Sequence, residues 1–444
     1  MSGWKGSQEG IEAQVELLVV VVATATIFVW GIVSARLERA DLTAPIVFTL
    51  VGALLAFVGL IDEPSAPETL KPLVEITLVW VLFSDAARIR IQDLRRGVGP
   101  YVRLLAVGLP LTMLAGWGLA AWLLPALGVW LALLVGAALA PTDAALGVSV
   151  VTNPAVPRRI RRLITVESGL NDGIATPVVM LAIAGAAAAA GSEEALGVGG
   201  ALVELAVGAA VGLAIGFVGG FLLRRARRTK WAAEDFAGIA VLALAVLAYA
   251  AAVSAHGNGF IAAFCGGLAF GATTGRRGPS ELLFLEQASG LASLLVWLAF
   301  GAIAVPIMID LIDMTMVLYA VLSLTLVRMV PVALSLIGAG FDRSSVLFVG
   351  WFGPRGLASL VFALLALEEL GTGADEAVAV IAVTVFLSVI AHGISAAPLA
   401  TRYGRATAPR QIEPPSPDPE IPVRGLPRHQ GTAQDDGRPD TGAR

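Results

Sequence analysis

Thirteen long apolar runs dictate the fold class of this chain. They lie at roughly 14–34, 44–61, 70–86, 101–124, 129–150, 160–187, 198–223, 234–253, 258–272, 285–306, 314–338, 344–367 and 377–400. A helix needs roughly 20 apolar residues to cross a hydrocarbon core about 30 Å thick, and these runs are of that order. With 57% apolar and only 14% charged residues, the composition is that of an all-α polytopic membrane protein. The single cysteine, Cys265, excludes an intrachain disulfide, and no Cys/His cluster suggests zinc. The first residues, MSGWKGSQEGIEAQ, are acidic and lack a small-residue cleavage site, so no signal peptide is read there.

Charge is distributed unevenly along the chain. Of the 30 basic residues, 26 fall in alternate connections or in the tail: Arg36 and Arg39, the group from Arg88 to Arg103, that from Arg158 to Arg162, that from Arg224 to Lys230, Arg276 and Arg277, Arg343, and seven arginines after residue 400. The opposite connections hold Lys5 and Lys71 beside acids such as Asp62, Glu193, Asp310 and Glu368. Basic connections stay in the cytoplasm, which predicts an N-terminus outside and a cytoplasmic C-terminus. Two arginines are left over. Arg328 and Arg355 fall near the middles of the eleventh and twelfth runs.

Three acids also fall within spans: Asp143, Glu167 and Asp172. An ionised side chain at the bilayer centre costs on the order of 3 kcal/mol on insertion scales, so such residues mark sites or buried pairs. At 100° per residue Ser168 and Asp172 share one helix face, while Glu167 and Asn171 share the next. A hydroxyl one turn from a carboxylate offers oxygen ligands to a hard cation. Glu167 then reads as half of an ion pair. Pro141 lacks an N–H and clashes with the preceding turn, so the fifth run should open around Ala140 to Asp143 and free carbonyls as further ligands. Gly353 and Pro354 predict a second break in the twelfth run. Asp172 lies ten residues beyond Arg162, roughly 15 Å into the membrane at 1.5 Å per residue, the depth at which transporters hold their substrates.

The order PTD (141–143), ES (167–168) and ND (171–172) resembles the paired signatures of the monovalent cation:proton antiporters, the superfamily of NhaP-type and animal exchangers. The resemblance extends over residues 14 to 400. It implies two inverted five-helix repeats, runs two to six and nine to thirteen, whose fifth and twelfth runs are broken and cross. It implies exchange of Na⁺ or Li⁺ for H⁺ by alternating access, with K⁺/H⁺ exchange as the alternative. Asp172 would hold cation or proton, with Ser168, Thr142 and Asp143 completing a Na⁺ site. The resemblance pairs Glu167 with Arg328. Arg355 would compensate broken helix ends, and Asn171 in place of a second Asp marks the mostly electroneutral group. It also implies a homodimer.

Further expectations follow. Residues 1–400 form the membrane domain of a cell (inner) membrane protein, and 401–444, rich in Pro, Gly and charge, a disordered cytoplasmic tail. The partners are monovalent cations, protons and membrane lipid, with no nucleic acid and no cofactor. An enzyme is not expected, because no nucleophile and base pair is evident. A sodium-coupled solute symporter would need a substrate pocket that the residues do not suggest, and a channel would need a filter-like repeat. His256 and His392 are read as structural residues rather than pH sensors, and the many Gly and Ala residues as close-packing positions.

Overall fold

The computed structural model describes residues 2–37, 42–60, 67–89, 98–191, 197–274 and 278–407. Regular structure among them is helical throughout. The helices are α1 (Ser2–Leu37), α2 (Ala44–Phe57), α3 (Pro67–Arg88), α4 (Val98–Leu123), α5a (Gly128–Ala138), α5b (Val148–Val151), α6 (Arg158–Ala189), α7 (Gly197–Arg228), α8 (Glu234–Ser254), α9 (Gly259–Thr274), α10 (Gly278–Leu311), α11 (Met314–Ser335), α12a (Arg343–Trp351), α12b (Leu357–Leu370) and α13 (Asp375–Thr407). Among the described residues eight helical runs are long and apolar enough to cross a membrane, and three shorter apolar helices accompany them. Large apolar side chains such as Phe28, Ile32, Val203 and Phe217 are more than half exposed, as expected of a surface facing lipid rather than water.

Helix α13 continues to Thr407, past the boundary expected at residue 400. The rest of the expected tail lies outside the described residues. So do several charged connections, among them those carrying Arg39, Arg95 and Arg276.

The helices sort into two packed groups. One contains α1 to α3 and α7 to α10; the other contains α4 to α6 and α11 to α13. The first group is held by small residues. Gly208, Gly212, Gly216 and Gly220 recur every fourth residue, so they form one stripe along α7, and this stripe lies against α9. A methyl group on Gly212 would stand 2.2 Å from the Ala262 carbonyl oxygen, and one on Gly216 would stand 2.1 Å from that of Gly266. Lipid supplies no hydrophobic force between helices, so such close backbone approach is what holds them together. Gly212→Ala is therefore expected to destabilise the protein by about 1–3 kcal/mol through overpacking. A lowered melting temperature in detergent would show it, and an unchanged one would mean that the α7–α9 contact is loose.

In the second group the two breaks fall in the fifth and twelfth runs, as the prolines predict. The first is longer than expected. Instead of re-forming after Asp143, the helix stays open from Leu139 to Gly147, and α5b is a single short turn. The reason is local: Asp143 Oδ1 accepts a bond from the Ala145 amide at 2.8 Å, which closes an Asx turn in place of a helical one. Helices α4 and α11 each widen into a π turn, at Leu104–Gly108 and Ser323–Val327. Pro110 and Pro331 stand just beyond these turns and remove the amides that would have bonded to Ala106 and Val327 in a regular helix. Between the two groups, Lys71 of α3 pairs with Glu368 of α12b.

Candidate functional site

The two breaks face each other, and each supplies what the other lacks. The unwound end of α5a exposes carbonyls, and the residues between α12a and α12b answer them. Arg355 Nη1 donates to the carbonyl oxygens of Ala140 at 2.6 Å and Pro141 at 3.1 Å. Ser359, one turn into α12b, donates to Ala138 at 2.6 Å. A buried cation at a helix C-terminus is the favourable arrangement for the dipole as well as for the orphan carbonyls. In return the Asp143 amide donates to the Pro354 carbonyl at 2.8 Å, and Asp143 Oδ2 accepts from the Leu357 amide at 3.3 Å. Asp143 thus caps the N-terminus of α12b, in the partner break, rather than α5b in its own run. Gly356 lets this happen, because a methyl group there would stand 2.4 Å from Asp143 Oδ2.

Helix α6 carries the remaining residues. Thr142 Oγ1 lies 2.9 Å from Ser168 Oγ and accepts a bond from Asn171 Nδ2 at 2.8 Å. Ser168 and Asn171 are three apart, so both reach one hydroxyl from neighbouring turns. A hydroxyl has one proton and two lone pairs. If Thr142 gives its proton to Ser168, one lone pair of Thr142 and one of Ser168 stay open to a ligand. Asn171 Oδ1 has no hydrogen-bond partner among the described residues.

Burial separates the three acids. Glu167 is 3% exposed, and its Oε1 lies 2.7 Å from Nη1 of Arg328, itself 1% exposed. This carboxylate is enclosed together with its counter-charge. Asp143 and Asp172 are partly exposed. Asp172 stands one turn beyond Ser168 on α6, so the Thr142–Ser168 contact brings the first break within a turn of it. Gly353 makes room between the ion pair and the site: a methyl group there would meet Arg328 Nε at 2.7 Å and Thr142 Cγ2 at 2.8 Å.

Sequence reasoning missed Ser359 and Ser388. Ser388 of α13 accepts a bond from the Arg355 amide at 2.8 Å. A signal for it existed: Thr384, Ser388, His392 and Ser395 recur at helical spacing as a polar stripe on an otherwise apolar span.

Among known proteins, the chain is 28% identical over 420 residues to the K⁺/H⁺ antiporter NhaP of Alkalimonas amylolytica, a match that covers 91% of this chain and 70% of that protein. It is 26% identical over 366 residues to the K⁺/H⁺ antiporter NhaP2 of Shewanella sp. (strain ANA-3), covering 81% of this chain and 62% of the relative. The chain therefore spans about two thirds of the length of these relatives. A shorter match, 32% over 138 residues and 31% of this chain, links it to the Na⁺/H⁺ antiporter ApNhaP of Aphanothece halophytica. The fold is similar to that of the sodium proton antiporter MjNhaP1 from Methanocaldococcus jannaschii at pH 8, with a TM-score of 0.69 and 21% identity over 88% of this chain and 99% of that one. The family model described as sodium/hydrogen exchanger, transmembrane, matches residues 22–402. With nearly the whole membrane region matched, this multi-pass membrane protein belongs to the sodium/hydrogen exchanger family, a family of transporters and not of enzymes.

Proposed function

We propose that the chain exchanges a monovalent cation for protons by alternating access, at a site formed by Asp172, Ser168, Thr142 and Asp143. The observation that carries this reading is the junction at Thr142, where a broken helix places a hydroxyl against Ser168 and Asn171, between two partly exposed carboxylates. A carboxylate there holds either a cation or a proton, and competition for one place couples the two fluxes. The paired breaks in runs five and twelve, together with the paired π turns in α4 and α11, support two inverted repeats. The basic connections support an outside N-terminus and a cytoplasmic C-terminus. The homodimer rests on the family resemblance alone.

The cation is better read as K⁺ than as the Na⁺ of the sequence analysis. Two relatives that match 91% and 81% of this chain are named as K⁺/H⁺ antiporters, whereas the Na⁺/H⁺ antiporter ApNhaP matches 31% of it. Oxygen ligands of this kind serve either ion. In proteoliposomes with an internal pH dye, K⁺ is expected to move protons more strongly than Na⁺ or Li⁺ at equal concentration. A larger response to Na⁺ would restore the sodium reading, and proton movement with none of the three would remove cation exchange altogether.

Stoichiometry follows from charge. Asp143, Glu167 and Asp172 face Arg328 and Arg355, which leaves one negative charge if all are ionised. One cation or one proton neutralises it, so the loaded unit carries the same charge in both directions. The membrane potential, about 2.3 kcal/mol per charge per 100 mV, then has nothing to act on over a cycle. Exchange should be one for one and electroneutral. With K⁺ as the exchanged ion, no current is expected on a solid-supported membrane. A current that scales with turnover would contradict it.

A further inference from the structure

His392, in the middle of α13, is 2% exposed. Its ring lies over the second break. Nε2 is 2.8 Å from the Trp351 carbonyl oxygen, the last carbonyl of α12a. A carbonyl can only accept, so this bond forms with the proton on Nε2. Nδ1 lies 3.1 Å from the Ser388 hydroxyl and 2.8 Å from the Ser388 carbonyl. The same hydroxyl accepts from the Arg355 amide at 2.8 Å. The indole of Trp351 stacks on the imidazole, with centroids 5.1 Å apart, and donates to Ser395 Oγ at 2.9 Å.

Ser388, His392 and Ser395 stand at i, i+4 and i+7, so one face of α13 holds both ends of the unwound segment 352–356. Within a membrane such a segment persists only where its backbone groups are answered internally. The Trp351 carbonyl accepts from Gly353 and from His392, which fills both its lone pairs. Everything that the segment presents to the site is thereby set in place: the Arg355 guanidinium on Ala140 and Pro141, the Pro354 carbonyl that receives the Asp143 amide, and the Leu357 amide that caps Asp143.

The geometry points to His392, acting with Ser388, as a positioning residue of the transport site: it clamps the break in the twelfth run so that Arg355 and Asp143 keep the arrangement that binds the cation. His392 touches neither cation nor carboxylate in this role. The inference rests on the exchange function proposed above, and its test separates the two.

The full chain is compared with His392→Leu, His392→Gln and Ser388→Ala in liposomes, measuring both the half-saturating K⁺ or Na⁺ concentration and the maximal rate. Amide hydrogen exchange of the peptide covering 352–357 is followed in parallel. His392→Leu removes the donor to Trp351 and is expected to raise the half-saturating concentration about tenfold, the scale of one lost buried hydrogen bond, and to speed deuteration of that peptide. His392→Gln keeps an N–H near the position of Nε2 and should recover both to within about twofold. Ser388→Ala should resemble His392→Leu in the peptide. Unchanged binding and unchanged deuteration in His392→Leu would overturn the clamp, and so would equal impairment of Leu and Gln, which would make the ring a packing element only. A wild type that exchanges none of the ions defeats the functional reading instead, and deuteration of the segment then decides the clamp by itself.

Discussion

Glu167→Ala or Arg328→Ala, made singly, is expected to destabilise the protein by about 3–5 kcal/mol, the cost of leaving one buried charge without its partner. Both side chains are nearly inaccessible and lie 2.7 Å apart, so solvent cannot take over from the missing group. Arg328 Nε and Nη2 have no other hydrogen-bond partner among the described residues, which makes Glu167 the main compensation for that guanidinium. The double change removes both charges and should recover part of the loss. A thermal-stability cycle in detergent measures this, and simple additivity of the two single losses would argue that the pair contributes nothing as a pair. Arg355 would then be the next partner to test, although its Nη1 is already engaged by Ala140 and Pro141.

Asp172→Asn should reduce cation-driven proton movement to that of protein-free liposomes while the protein still folds and inserts. Asn keeps the volume of the side chain and can accept hydrogen bonds, but it can neither release a proton nor neutralise a cation. Asp172 is partly exposed, unlike Glu167, so water can compensate for the neutralised side chain there as it cannot at Glu167. The two predictions therefore differ in kind: one variant loses stability, the other loses transport. Normal exchange by Asp172→Asn would take this carboxylate out of the mechanism, and the carboxylate of Asp143 would have to carry the coupling.

Much of this protein can be read from one dimension. Apolar runs of bilayer length favour helices, so the all-helical class and the order of the helices followed from hydropathy, while among the described residues eight helical runs are long and apolar enough to cross a membrane. Pro141 and Pro354 lack the amide a helix needs, and the two breaks stand where those prolines are. The acids at 143, 167 and 172 stood out because charge in a span is costly. Family signatures then attached a chemistry to them.

What the chain order could not determine was which distant groups would meet. Asp143 and Leu357 are more than 200 residues apart, and only the crossing of the two broken helices brings the carboxylate onto that amide. An Asp after a proline break is ordinarily expected to cap its own helix. Here the Asx turn at Ala145 uses one carboxylate oxygen and the opposing break uses the other. By position alone the two mid-span arginines were equally available to all three acids, and only the family resemblance paired Glu167 with Arg328. Packing of α11 against α12a, and of α12b against α5a and α6, sent one guanidinium to a carboxylate and the other to carbonyls. His392 is the clearest case: a single histidine in an apolar helix has no legible distant partner, because the Trp351 carbonyl that meets its Nε2 lies open only where another helix unwinds beside it. Local sequence determines where a helix runs and where it must stop. Only the tertiary structure decides who satisfies the groups left open at the stop, since those partners come from other helices and are brought there by packing.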